Sequence, residues 1–190
     1  VTSAPLEERD DDALLALSAA GSAAAFRVLV ARHLPAVTRY CAKFLGDAAA
    51  GEDVAQECLV ELWERRARYR PEGRFVAYLL TLARSRCLNH ARGDRRRAAR
   101  VRAVEGEAGD PAAAARPDQL DALLEGERWR RVREGLSALP AHQREALLLR
   151  FDQGLRYPEI ARVLGKAEEA VRSRVHKGLL QLRARVGGGE

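Results

Sequence analysis

Alternating runs of Val, Ile, Thr and Tyr are missing from this 190-residue chain, and aromatic residues make up only 5% of it. A β-sheet would have little to build on, whereas Ala, Leu, Arg and Glu, good helix formers, dominate. The predicted class is all-α. Cysteine is scarce: Cys41, Cys58 and Cys87 include no C-x-x-C pair and have no His at zinc spacing. An odd, scattered set argues against a disulfide framework and against a metal site, and fits a reducing cytoplasm. No stretch approaches the ~18 apolar residues of a membrane span. The chain opens on an acidic segment, Glu7 to Asp12, rather than a basic patch and an apolar run, so a soluble, untargeted protein is expected. Also missing are a Ser-His-Asp grouping, a clustered carboxylate pair and a Gly-rich phosphate loop, so no catalytic residue, no cofactor and no enzyme activity are expected.

What is present is 47% hydrophobic residues, enough to give each of two small domains a core, and a net charge of +6. That charge favours a polyanionic partner, nucleic acid or an acidic membrane surface. Helical periodicity runs from 13 to 97, broken by turn chemistry at Gly46-Asp47 and at Arg70-Pro71-Glu72-Gly73. Arg92 to Arg102 holds six Arg against one Asp, and acidic residues then dominate as far as Glu127 among Gly106, Gly109, Pro111 and Pro117. Residues 98–127 are therefore expected to be a flexible acidic linker with a short helix near Leu120 to Leu124. A second helical domain is expected over 128–186.

The C-terminal domain carries the strongest local pattern. Ile160, Ala161 and Leu164 form the inner face of a short helix opened by Pro158 and closed by Gly165, residues that suit a first helical turn and a left-handed helix end. After Gly165-Lys166-Ala167, a second helix places Val171, Val175, Leu179 and Leu182 on one inward stripe. Glu169, Ala170, Ser173, His176 and Lys177 then face outward, flanked by Arg172 and Arg174. Short polar groups at the centre of such a face reach base edges while the flanking cations meet phosphates. An αα-hairpin with a solvated basic face has the same pattern; the glycine turn, the cations and the basic pI together favour a DNA-reading helix-turn-helix.

The N-terminal domain carries two further helices. Residues 52–63 turn Val54, Cys58 and Leu62 inward and Asp53, Gln56, Glu57 and Glu61, with Glu64 beyond, outward. This acidic face suits a basic protein partner, although on charge alone a solvated helix face is the commoner case. Phe75 to Arg92 follows, with Phe75, Leu79, Leu82 and Arg86 along one side. Basic residues thicken toward its end, as in a helix that tracks a phosphate backbone. Tyr78 is expected to pack in the core and Cys87 to act as a small buried hydrophobe.

Taken together, these residues resemble the extracytoplasmic-function (ECF) sigma factors of the sigma-70 family from about Leu14 to Val186. One motif is Gly51-Glu-Asp53-Val-Ala-Gln56-Glu57 through Leu62-Trp63. The other runs from Leu139-Pro140 and Arg144 to Arg150, through Glu159-Ile160-Ala161 and Leu164-Gly165, to Val171-Arg-Ser173-Arg174-Val-His176-Lys177. Between them, Phe75 to Arg84 is similar to the family's promoter-melting segment. The resemblance implies a transcription initiation factor. Asp53, Gln56, Glu57, Glu61 and Trp63 would bind core RNA polymerase. Ser85, Asn89, Arg92, Arg95, Arg96 and Arg97 would engage the melted minus-ten strand, and the C-terminal helix would read duplex at minus thirty-five. An anti-sigma factor is the implied regulator. Ser85 stands where many members have Asn, at the start of a loop that the resemblance assigns to a flipped base. Ala167 and Ala170 replace the Ser and Thr often found there, and Arg156 replaces a common Ser. The competing reading is a helix-turn-helix regulator that never touches polymerase; the Asp53-Gln56-Glu57 segment speaks against it.

Overall fold

A computed structural model describes residues 5–105 and 127–186, with the side chains of 95, 98–105, 127–130 and 133 excepted. The described residues are helical and contain no strand. The chain divides into two compact units, Val1–Ala114 and Ala115–Glu190.

The first unit is built from α1 (Asp11–Ala19), α2 (Ala23–Leu45), α3 (Ala48–Arg65) and α4 (Phe75–Glu105). Each of the first three starts on a side-chain cap. Asp10, Ser22 and Asp47 accept hydrogen bonds from the amides of Ala13 (2.7 Å), Ala25 (3.2 Å) and Ala50 (2.8 Å), satisfying donors that a helix start otherwise strands. The break expected at Gly46-Asp47 is there: Gly46, at φ +76°, ends α2 and Asp47 opens α3. The pair α2 and α3 is the scaffold, with α1 and α4 laid against it. Its close approach depends on Gly51, where a Cβ would come within 2.7 Å of the Ala42 Cβ and closer still to the Ala42 backbone. Leu14, Leu15, Tyr40, Cys41, Cys58, Leu62, Leu79, Leu80 and Cys87 are essentially buried. Cys87 is thus the small hydrophobe expected, and burial, with Cys41 nearby, pushes the Cys58 thiol up to about 12.

Where the sequence predicted a linker from residue 98, α4 continues to Glu105. Nothing in 92–105 stops a helix: Gly93 stands alone, and Asp94 is paired on its own helix with His90 (3.0 Å) and Arg97 (3.2 Å). The rest of the predicted linker, with the helix at Leu120 to Leu124, lies outside the described residues.

The second unit contains α5 (Glu127–Ser137), α6 (Ala141–Leu147), α7 (Tyr157–Leu164) and α8 (Glu168–Val186). A π-helical turn, Leu148–Asp152, extends α6 and leaves Phe151 62% exposed. Helix α8 is the hub against which the other three pack. Leu149, Ile160, Val171 and Val175 are buried at its centre. The inward stripe departs from the prediction in one respect. Leu179 and Leu182 are only half-buried while Gly178 is buried, its missing side chain admitting Leu147, whose Cδ1 would lie 3.1 Å from a Cβ there.

Candidate functional site

Three surfaces hold the predicted site residues. The first is the outer face of α3. Asp53, Gln56, Glu57, Val60 and Glu64 are exposed; at spacings of four, three and four, Asp53, Glu57, Val60 and Glu64 form one stripe, with Gln56 at its edge. Val60, 58% exposed, was missed in the sequence; the signal was an apolar residue out of phase with the inward Val54, Cys58 and Leu62. Glu61 does not lie on the outer face. It was expected on the outer face but is 6% exposed, turned toward α4, where its carboxylate accepts from Arg86 Nε and lies 2.8 Å from Arg65. A buried carboxylate needs such partners, and its hydrogen bond holds Arg86 more firmly protonated. Arg86 also reaches Glu57 at 3.5 Å, so one guanidinium links α4 to two turns of α3. Trp63 is half-buried, edge-on to Phe26 at 4.9 Å and 3.7 Å beneath the Arg66 guanidinium.

The second surface is on α4. Ser85, Asn89, Arg92 and Arg96 are exposed and, at spacings of four, three and four, line up over about 16 Å of helix. Arg92 Nη1 lies 3.4 Å from Asn89 Oδ1. The loop expected to begin at Ser85 is not there: Ser85 is the eleventh residue of a helix that starts at Phe75, because 75–92 contains no breaker. Arg97 is exposed beside Asp94, and the side chain of Arg95 lies outside the described residues. Toward its N-terminus the stripe continues through Thr81 to Tyr78, half-buried against Tyr69 at 4.9 Å.

The third surface is on α8, and the turn before it has the predicted chemistry. Gly165 adopts φ +60°, and the amides of Gly165 and Lys166 bond back to Arg162 O (3.1 Å) and Ala161 O (2.9 Å), the paired closure of a Schellman motif. At the start of α7 no Ser caps the helix. Instead Glu159 reaches back to accept from the Arg156 amide at 2.7 Å. Burial alone would raise the Glu159 pKa; the Arg156 amide and guanidinium and the Arg162 charge outweigh it and lower the pKa. Glu169, Ser173, His176 and Lys177 stand exposed, with Ala170 and Arg174 half-buried. Leu180, 52% exposed, extends this face, one turn past His176. Arg172 is exposed yet engaged: its Nε bonds Glu168 at 3.0 Å and its guanidinium lies 4.4 Å over the Tyr157 ring, which Arg150 also approaches at 5.1 Å. The two cations hold the ring joining α7 to α8, so Arg172 is less free for phosphate than its flank position suggests.

Among the described residues no cluster of ligands could hold a metal ion, and no helix is long and apolar enough to cross a membrane. What the surfaces offer is recognition.

Comparison with known proteins agrees with the division into two units. Residues 29–97 match the family model Sigma-70 region 2, and residues 129–182 match Sigma-70, region 4. Among curated relatives, the probable RNA polymerase sigma factor RfaY of Xanthomonas campestris is 34% identical over 87% of this chain, which spans 41% of that longer protein. CarQ of Myxococcus xanthus, an RNA polymerase sigma factor, is 33% identical over 88% of this chain and 92% of its own length. The ECF RNA polymerase sigma factor SigL of Mycobacterium tuberculosis is 34% identical over 87% and 91%. In fold, the chain is similar to CnrH, solved in complex with the cytosolic domain of CnrY, with a TM-score of 0.70 at 24% identity over 95% of this chain and 99% of that one.

Proposed function

This chain belongs to the ECF group of the sigma-70 family, factors that direct RNA polymerase to promoters and initiate transcription, and on that premise we propose how its surfaces divide the work. The α3 stripe of Asp53, Gln56, Glu57 and Val60 docks on core polymerase, its carboxylates meeting a basic partner and Val60 supplying apolar contact. Ser85, Asn89, Arg92 and Arg96 hold the opened minus-ten strand, the arginines on phosphates and the two polar side chains toward bases. Ser173, His176 and Lys177 read upstream duplex, with Glu169, Ala170, Arg172 and Arg174 around them. Arg95 and Arg97 belong to the same basic segment and add sequence-independent affinity. Trp63 shapes the end of the docking face from beneath.

The observation that carries this reading is the α3 stripe: an exposed acidic face with an apolar residue at its centre, on a chain whose net charge is +6. A surface of opposite sign to the rest of the molecule is suited to a protein partner rather than to DNA. The factor carries out no chemistry of its own and works in the cytoplasm, beside the polymerase. As the sigma factor RpoE of Bartonella quintana, similar in fold, is solved in complex with the anti-sigma factor NepR, an anti-sigma partner is proposed here too. Reversing charge at Asp53 and Glu57 (D53K, E57K) should abolish capture of core polymerase, measured by co-elution, and leave binding of upstream duplex by the chain unchanged. Retained capture would remove α3 from the docking role; loss of both activities would mean a folding defect, and a circular-dichroism melt separates that case.

A further inference from the structure

The acidic run that opens the chain has no part in the surfaces above, yet its three aspartates do three different things. Asp10 caps α1. Asp11 anchors α1 to α2, its carboxylate lying 2.5 Å from Arg32 and 2.8 Å from His33 Nε2, while the same Arg32 also donates to the carbonyls of Glu7 (3.0 Å) and Arg9 (3.1 Å). Asp12 points the other way, toward the connection between α3 and α4. One of its oxygens accepts from Tyr69 Oη at 2.7 Å and the other from the Gly73 amide. Those two donors bracket the turn 70–72, whose residues, with Gly73 and Arg74, are all exposed. Gly73 sits at φ +67° with open space around it, so at that residue the turn is held by its hydrogen bond and not by packing.

That turn abuts the α4 stripe. Counting back from Arg96 and Arg92 through Asn89, Ser85 and Thr81 at intervals of three and four reaches Tyr78 and then Arg74, the last residue of the connection. Tyr69 closes this end: its ring lies 4.9 Å from Tyr78 and 6.2 Å from Phe75, and its hydroxyl is the group that Asp12 holds. Burial first, then the Asp12 hydrogen bond, keep that hydroxyl protonated and able to donate. Asp12 therefore joins a firm base, α1 fastened to α2, to the exposed turn at the end of the polar track.

We propose that Asp12 is a positioning residue for strand capture: through Tyr69 and the Gly73 amide it fixes the 70–74 turn as the terminus of the nucleic-acid track on α4. This rests on the assignment of that track to the opened strand. A turn held in one geometry presents its groups to one or two particular nucleotides; a freed turn contacts whatever passes. Releasing it should cost selectivity at those positions rather than overall affinity, which the distant Arg92 and Arg96 supply.

The test uses holoenzyme assembled from the full chain and core polymerase of its own source, with labelled single-stranded oligonucleotides carrying the minus-ten sequence, each base substituted in turn. Asp12→Asn keeps an acceptor but loses the charge, and Tyr69→Phe keeps the ring but loses the donor. Both should lose about fivefold or more of the base preference at one or two adjacent positions, with melting temperature and core affinity held. An unchanged preference profile would overturn the proposal. So would weakening by the same factor at every position in step with a lowered melting temperature, since that is what a merely structural residue does. Wild-type holoenzyme with no affinity for the strand would instead overturn the assignment of the track itself.

Discussion

A missing side chain at position 51 decides how closely α2 and α3 can lie. No rotamer change can make room for a methyl group there, because the obstacle is the Ala42 backbone. Gly51→Ala should therefore destabilise the first unit by about 2 kcal/mol or more, through overpacking, although alanine is the better helix former. Chemical denaturation would show it as a lowered midpoint; an unchanged midpoint would mean that the two helices are not in this register. The residue was visible in the sequence only as part of a motif, and its physical reason was not. A helix interior offers no periodic signal that separates a glycine under close backbone approach from an incidental one. Glu61 shows the same gap with opposite sign. Its charge reads as outward although its wheel position, three residues after Cys58, flanks the inward stripe; α4 crosses at that point and supplies Arg86, a long-range partner that the local sequence cannot reveal.

Among the elements, the short helix α7 shows how local chemistry can substitute for a missing cap. With Arg156 in the N-cap position, the reach-back from Glu159 supplies the bond that joins the two ends of the first turn. Its pKa is lowered from the ordinary value of 4.5. A carboxylate more acidic in the folded state than in the unfolded one stabilises the fold above its unfolded pKa and loses that contribution as pH falls through the folded value. Stability of the second unit should thus decline as pH drops below about 4.5, and Glu159→Gln should flatten that decline while costing about 0.5–1 kcal/mol at neutral pH. Equal pH profiles for the two proteins in thermal melts would contradict the assignment. This part of the fold was legible because its signals are local: Pro158, Gly165 and the Val171 and Val175 spacing all lie within a few residues of what they determine. The run past Arg97 was not, since an arginine-rich segment reads as a solvated tail unless intrahelical pairs such as Asp94 with Arg97 are counted.

At the scale of the whole molecule, sequence order carried the functional reading further than geometry did. The acidic α3 stripe and the Gly165 turn are each compatible with a solvated surface; their co-occurrence in one chain, in family order, is what separates an initiation factor from a plain DNA-binding regulator. Two DNA-reading units on one polymerase-bound chain would also reinforce each other, because engagement of one raises the effective concentration of the other. Either unit alone should then be a poor binder, and the pair selective. The most direct test mixes the purified chain with core polymerase from its own source and maps transcript starts on a genomic DNA library. Co-elution and discrete starts that share two upstream elements at constant spacing are expected. Starts no different from those of core polymerase alone, or no co-elution, would contradict the initiation-factor reading.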